Sequence, residues 1–267
     1  MHQGTQAIAR PAAKLEGKAR AMIDAYLALP VGAKPSCPYF NNRRHKVRGS
    51  LRVVKGKGTP EEIAEETTID AKLCRIDLSS LSTDRLKEFI VSRKLGVDCS
   101  GFAYHVLNAL CQEKTGRSVQ GFVATLRTGF IGRLAAKLRP AENIGVATFR
   151  DDRNSREVAL ADAMPGDFIA MIGTGADKQY NHMVVITGVE STESGWRLSY
   201  AHSYAWPSDG HFGHGVREGE IVTKEGQSGD LLGGIWKENG MIGADNFTHQ
   251  SALGAKEVTV RRLLALE

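Results

Sequence analysis

The chain has 267 residues, 42% hydrophobic and 24% charged, with a formal net charge of +5, the balance of a globular protein with a sizeable core. No stretch approaches the roughly 20 apolar residues of a membrane span, and Met1 to Pro30 lacks the continuous apolar core of a signal peptide. The four cysteines, Cys37, Cys74, Cys99 and Cys111, form no CxxC pair and no zinc-type spacing with histidine, which argues against a disulfide framework and a structural metal site.

In chain order, Leu15, Ala19, Met22, Ile23, Tyr26 and Leu27 predict an amphipathic helix over 13–28, stopped by Pro30, as an N-terminal arm over 1–34. The prolines and asparagines of 35–42 predict irregular chain around Tyr39 and Phe40. Arg43, Arg44, His45, Lys46, Arg48, Arg52, Lys55 and Lys57 form the densest positive run. It lacks the interleaved aromatics that stack on bases, so no nucleic-acid partner is expected; it reads as a solvated face, or as a flank of a cleft that attracts anionic groups. Thr59-Pro60-Glu61-Glu62 opens a helix reaching to about Leu73, and Ser82-Thr83-Asp84 opens a second carrying Leu86, Phe89 and Ile90 on one face, with Gly96 beyond it. Together they make a helical insertion at about 58–94, expected to act as a cap or lid.

Phe102, Val106, Ala109 and Leu110 mark the buried face of a third helix, with Asp98 or Ser100 as its cap and Cys99 at its start. A thiol in that place feels the positive end of the helix dipole, which favours the thiolate and makes Cys99 a candidate nucleophile. A buried, inert cysteine is the alternative. Phe122, Leu126, Phe130, Leu134 and Leu138 recur every four residues and predict a long helix closed by Pro140. Residues 151–163 read as loop. Short strands follow at Asp167–Ile172, His182–Val189, Trp196–Ser203, Val216–Thr223, Leu231–Lys237 and Val258–Leu263. Helices first and a strand meander second is an α+β arrangement, best read as one elaborated domain over 35–267 behind the arm.

Asp98-Cys99-Ser100-Gly101-Phe102 resembles the nucleophile motif of the NlpC-type, papain-like cysteine peptidases, bacterial cell-wall endopeptidases and amidases. Pro165-Gly166-Asp167-Phe168-Ile169-Ala170, His182-Met183-Val184-Val185-Ile186-Thr187-Gly188 and Leu198-Ser199-Tyr200-Ala201-His202-Ser203 resemble that family's later strands in the same order. The resemblance implies a nucleophile helix packed on a small antiparallel barrel or sheet, Cys99 as nucleophile, His182 as its base and His202 as the residue orienting that base. It also implies that Tyr39, in a Pro-Tyr element, helps to hold the oxyanion; Asp98 and Ser100 are grouped with the substrate-contacting positions. No cofactor is implied. The substrate implied is a peptide or cell-wall peptide.

Cys99 and His182 lie 83 residues apart, so only the fold can pair them. The nineteen residues between His182 and His202 read as a hairpin that could bring the two imidazoles together. Ser203, His211 and His214 are rival orienters, and two histidines in a glycine-rich loop without acidic partners make a poor zinc site. Alternative functions on the same fold are an acyltransferase, a lipid or protein amidase, or a non-catalytic binding module. The chain as it stands reads as cytoplasmic, or as secreted or wall-associated if a leader has been removed.

Overall fold

The protein, seen here as a computed structural model, is described over residues 12–41, 52–192, 195–223 and 230–267. It is an α+β fold in which most of the helices cover one face of a mixed-length antiparallel sheet and a short C-terminal helix packs on the other. The helices in order are α1 (Gly17–Leu27), α2 (Pro60–Leu73), α3 (Thr83–Ser92), α4 (Cys99–Thr115), α5 (Gly129–Leu138), α6 (Pro140–Asn143), α7 (Val146–Arg150) and α8 (Phe247–Leu253). The strands are β1 (Ala13–Lys14), β2 (Ser155–Glu157), β3 (Phe168–Thr174), β4 (Tyr180–Thr192), β5 (Gly195–Tyr204), β6 (Gly215–Val222), β7 (Ile235–Glu238), β8 (Met241–Ile242) and β9 (Glu257–Leu263). None of the described helices is long and apolar enough to cross a membrane.

Helix α4 is central because it is apolar nearly all round, as a helix enclosed on every side must be: Cys99 to Leu107 are buried without a break. Along one side lies α1, whose Ala19, Ile23 and Tyr26 share a face; the Tyr26 and Phe102 rings sit 5.4 Å apart. The first helix is shorter than its apolar spacing predicts. Ala13 and Lys14 instead form β1, pairing with Val189 and Gly188 along the edge of β4 that β3 leaves open. Helix α2 starts as expected, with Thr59 and Glu62 capping each other reciprocally, and α3 starts on Ser82. Their Ile63, Ala64, Leu86 and Ile90 join the same core as Phe102, so this segment is packed into the body of the protein.

The long helix expected over 122–138 does not form. A single 3-10 turn at Val119–Gly121 is followed by extended chain, and Gly129 at φ +73 resets the backbone before the ten residues of α5. Of the basic run, Arg43, Arg44, His45, Lys46 and Arg48 lie outside the described residues. Arg52, Lys55 and Lys57 do not form a solvated face: they turn to the carboxylates of Glu62, Glu142 and Asp98.

The sheet runs β2-β9-β3-β4-β5-β6-β7-β8, with β1 also on β4, every pair antiparallel and the path open at both ends. Alternation across the pleat divides the core in two. Phe168, Ala170, Met183, Val185 and Ala201 pack with α4, whereas Ile169, Met171, Val184, Ile186, Leu198 and Tyr200 pack on the other side around Trp236. Both faces are buried, so β3 and β4 carry nearly continuous apolar runs. Five of the six expected strands form close to their expected ranges, and the one expected at Leu231–Lys237 is confined to Ile235–Glu238 after a turn; β1, β2 and β8, of two or three residues each, carry too little pattern to be read from sequence.

The start of β3 is tied to β9 by a buried pair. Arg262 donates from Nε and Nη2 to the two carboxylate oxygens of Asp167, each at 2.8 Å, while Asp167 also accepts from the Met164 N–H. Removing one member strands the other charge in the interior, so Asp167→Ala is expected to lower the unfolding free energy by about 3 kcal/mol or more, measured by urea denaturation.

Candidate active site

The chain entering α4 is held from three directions. Val97 donates its N–H to the Pro38 carbonyl at 3.0 Å, and its own carbonyl accepts the Phe40 N–H at 3.3 Å and the Ser203 hydroxyl at 2.7 Å. Asp98 N–H is fixed by the Gly56 carbonyl at 2.9 Å. These bonds set Tyr39 beside Val97, closing the sixty-residue gap between the Pro-Tyr element and the nucleophile motif. They also make Ser203 structural, since it anchors the approach to Cys99 instead of orienting His182.

Asp98 is the N-cap, accepting the Gly101 N–H at 2.7 Å. Its same oxygen takes Lys57 Nζ at 2.7 Å, and Lys57 reaches Ser100 Oγ at 2.5 Å. Asp98, Ser100 and Lys57 are all buried. Asp98 and Ser100, expected to contact substrate, instead close this cluster beneath the helix end, and neither lines the cleft described below. Hydrogen-bonding demand explains the difference: a buried lysine and a helix start need the same acceptor.

Behind Cys99 stands a chain of imidazoles. His182 Nε2 is 2.7 Å from His202 Nδ1, and His202 Nε2 is 3.0 Å from Glu238 Oε1. A carboxylate only accepts, so His202 carries its proton on Nε2; in the neutral ring Nδ1 then accepts from His182 Nε2–H. That leaves the Nδ1 lone pair of His182 as its basic site. Tyr204 stacks on the His182 ring at 3.9 Å and fixes its plane.

Glu238 is itself fully satisfied. Its Oε2 accepts the Tyr200 hydroxyl at 2.6 Å, Arg217 Nε approaches Oε1 at 3.7 Å, and Arg217 is held in turn by Asp209. Burial pushes the Glu238 carboxyl up, but His202, Tyr200 and Arg217 outweigh it and hold the group below the usual glutamate range. Gly219, paired with both Tyr200 and Glu238, makes the contact across β6 possible, since a Cβ there would fall 2.3 Å from the Tyr200 ring.

Cys99 and His182 open onto one cleft of about 440 Å³, together with Tyr39, Asn41, Tyr180, Trp206, Phe247 and Ser251. No residue of 58–94 lines it, so the segment expected as a lid does not form its walls. The Cys99 sulfur lies 3.9 Å from the carbonyl of Asn181, next in sequence to His182. Tyr39 hydroxyl accepts from Asn41 Nδ2 at 3.2 Å. His214 also lines the cleft, whereas His211 turns out against Phe212; among the described residues no group of three metal-ligating side chains occurs.

The protonation expected from the helix dipole is reversed. Burial pushes the Cys99 thiol up to about 12, Asp98 adds to the rise, and Lys57 with the Met183 and Ser100 N–H groups recovers only part of it. Burial holds His182 well below the ordinary histidine range. At rest the cleft therefore holds a neutral thiol and a neutral imidazole. Lys57, Glu238 and Arg217, the charges that organise the site, carry no motif in the sequence; only the alternation of β7 hinted that Glu238 shares a buried face with Trp236.

Compared with protein-family models, curated proteins and solved structures, the chain matches none.

A raised thiol pKa fixes the sign of a chemical test. Alkylation of Cys99 by iodoacetamide, followed by residue-resolved mass spectrometry, is expected to be slow at pH 7 and to climb about tenfold per pH unit into the alkaline range. A rate already on a plateau below pH 7 would mean a preformed thiolate.

Proposed function

We propose that the protein is a cysteine hydrolase of amide bonds, with an NlpC-type, papain-like arrangement and peptidoglycan-type peptides as its substrate class. The observation that carries this reading is the unbroken chain from Glu238 through His202 to His182, ending in the cleft where Cys99 sits. In this mechanism His182 Nδ1 takes the Cys99 proton as the sulfur attacks the amide carbon. The imidazolium so formed is stabilised through His202 by the Glu238 carboxylate, and it returns the proton to the leaving amine. Water, activated by the same imidazole, then hydrolyses the thioester. The Cys99 N–H at the helix start and the Tyr39 hydroxyl are the donors for the oxyanion. No cofactor enters the scheme.

Two features support it. The resting thiol and imidazole are both neutral, as general-base activation requires, and aromatic and amide side chains, Tyr39, Asn41, Tyr180, Tyr204, Trp206 and Phe247 among them, line the cleft. An acyltransferase would share the first half-reaction and differ in the acceptor that takes the acyl group from sulfur.

Incubating wild type and Cys99→Ala with peptidoglycan stem-peptide fragments, and separately with acylated peptides, and weighing the products tests both readings. Cleavage by wild type alone is expected; equal turnover by Cys99→Ala would sink the proposal. Tyr39→Phe is expected to lower kcat by about 100-fold as one oxyanion donor is lost. Glu238→Gln, which keeps shape but loses the carboxylate, is expected to lower kcat by about tenfold or more with KM little changed.

A further inference from the structure

Helix α5 is amphipathic in the wrong sense for a surface helix. At about 100° per residue, Phe130, Leu134, Leu138 and Ile131 fall within one arc, and Ala136, its single buried residue, lies diametrically opposite. The apolar arc thus points away from the protein: Phe130 is 82% exposed, Ile131 81% and Leu138 72%. Lys137 and Arg133 border the arc on one side, and Arg139 follows at the end of the helix. From Lys114 to Ala141 the chain carries Lys114, Arg117, Arg127, Arg133, Lys137 and Arg139 and no Asp or Glu. Among the described residues, Arg133 and Lys137 have no ion-pair partner.

We propose that α5 is a membrane-surface anchor, lying in the interface of a bilayer rich in anionic lipid with Phe130, Ile131, Leu134 and Leu138 among the acyl chains. The flanking cations meet the headgroup phosphates. A second copy of the chain fits the face poorly, because a two-fold contact along the arc sets the cations of one helix against those of the other. Nucleic acid would leave the apolar arc in water. This inference stands independently of the hydrolase reading, since none of these residues lines the cleft.

The test is flotation of the full chain with vesicles of phosphatidylcholine alone or mixed with phosphatidylglycerol. Wild type is expected to float with the mixed vesicles, about tenfold more weakly with phosphatidylcholine alone, and less as salt is raised. Phe130→Ser with Ile131→Ser, and separately Arg133→Glu with Lys137→Glu, are each expected to reduce binding about tenfold. All four side chains are exposed, and an unchanged circular dichroism spectrum confirms that the variants fold. Failure of wild type to float with either vesicle overturns the proposal, as does binding indifferent to both double variants. So does a concentration-dependent rise in mass by light scattering that Phe130→Ser with Ile131→Ser removes, which would make the face an interface between copies.

Discussion

The site depends on one buried carboxylate. Glu238 sits at zero side-chain exposure and has to be satisfied from within, because leaving water costs an ion several kcal/mol. It draws a hydroxyl from β5, an imidazole from the same strand and a guanidinium from β6, and that guanidinium is clamped by Asp209 beyond β5. The register of β5, β6 and β7 and the orientation of His202 are therefore one problem with one solution. Moving any strand by a residue would turn these side chains to the opposite face.

The thiol has a different electrostatic history. Lys57 is close enough to lower it, yet Lys57 is bonded to Asp98, whose charge acts in the opposite direction. The two act in opposition at the sulfur, Asp98 the stronger, and desolvation is the largest influence of all. In the mechanism proposed above, activation comes at the moment of reaction from His182, itself kept neutral by burial, and the Glu238 chain stabilises a charge that appears only as the proton moves.

Sequence alone revealed the parts of this arrangement that repeat or cap. Alternating strands, the Thr59–Glu62 capping box and the Cys99 helix start announce themselves within a few residues, because local geometry sets their pattern. The adjacency of His182 and His202 was legible from the hairpin between them. Glu238, Lys57 and Arg217 were not, since a charged residue in sequence looks solvated and only the fold reveals that it is buried, Glu238 and Arg217 by neighbouring strands and Lys57 at the start of α4. Phe130, Leu134 and Leu138 misled for the opposite reason. Their spacing says helix face, but spacing does not say which side of the helix the protein body occupies, and here it is Ala136 that faces inward.

The same buried chain supports the proposed hydrolase reading against that of a non-catalytic module that kept the fold. A binding cleft needs complementary walls, and Tyr39, Asn41, Trp206, Phe247 and Ser251 would supply them whatever stood behind His182. Neither His202 nor Glu238 lines that cleft, so neither contributes a direct contact to a bound ligand. An apolar pair of similar volume in their place would be neutral or stabilising, because buried ion pairs rarely repay their desolvation. What such a pair could not do is hold one tautomer of His182 and accept the charge of its protonated form. The arrangement makes physical sense where a proton has to arrive at His182 Nδ1 and leave again.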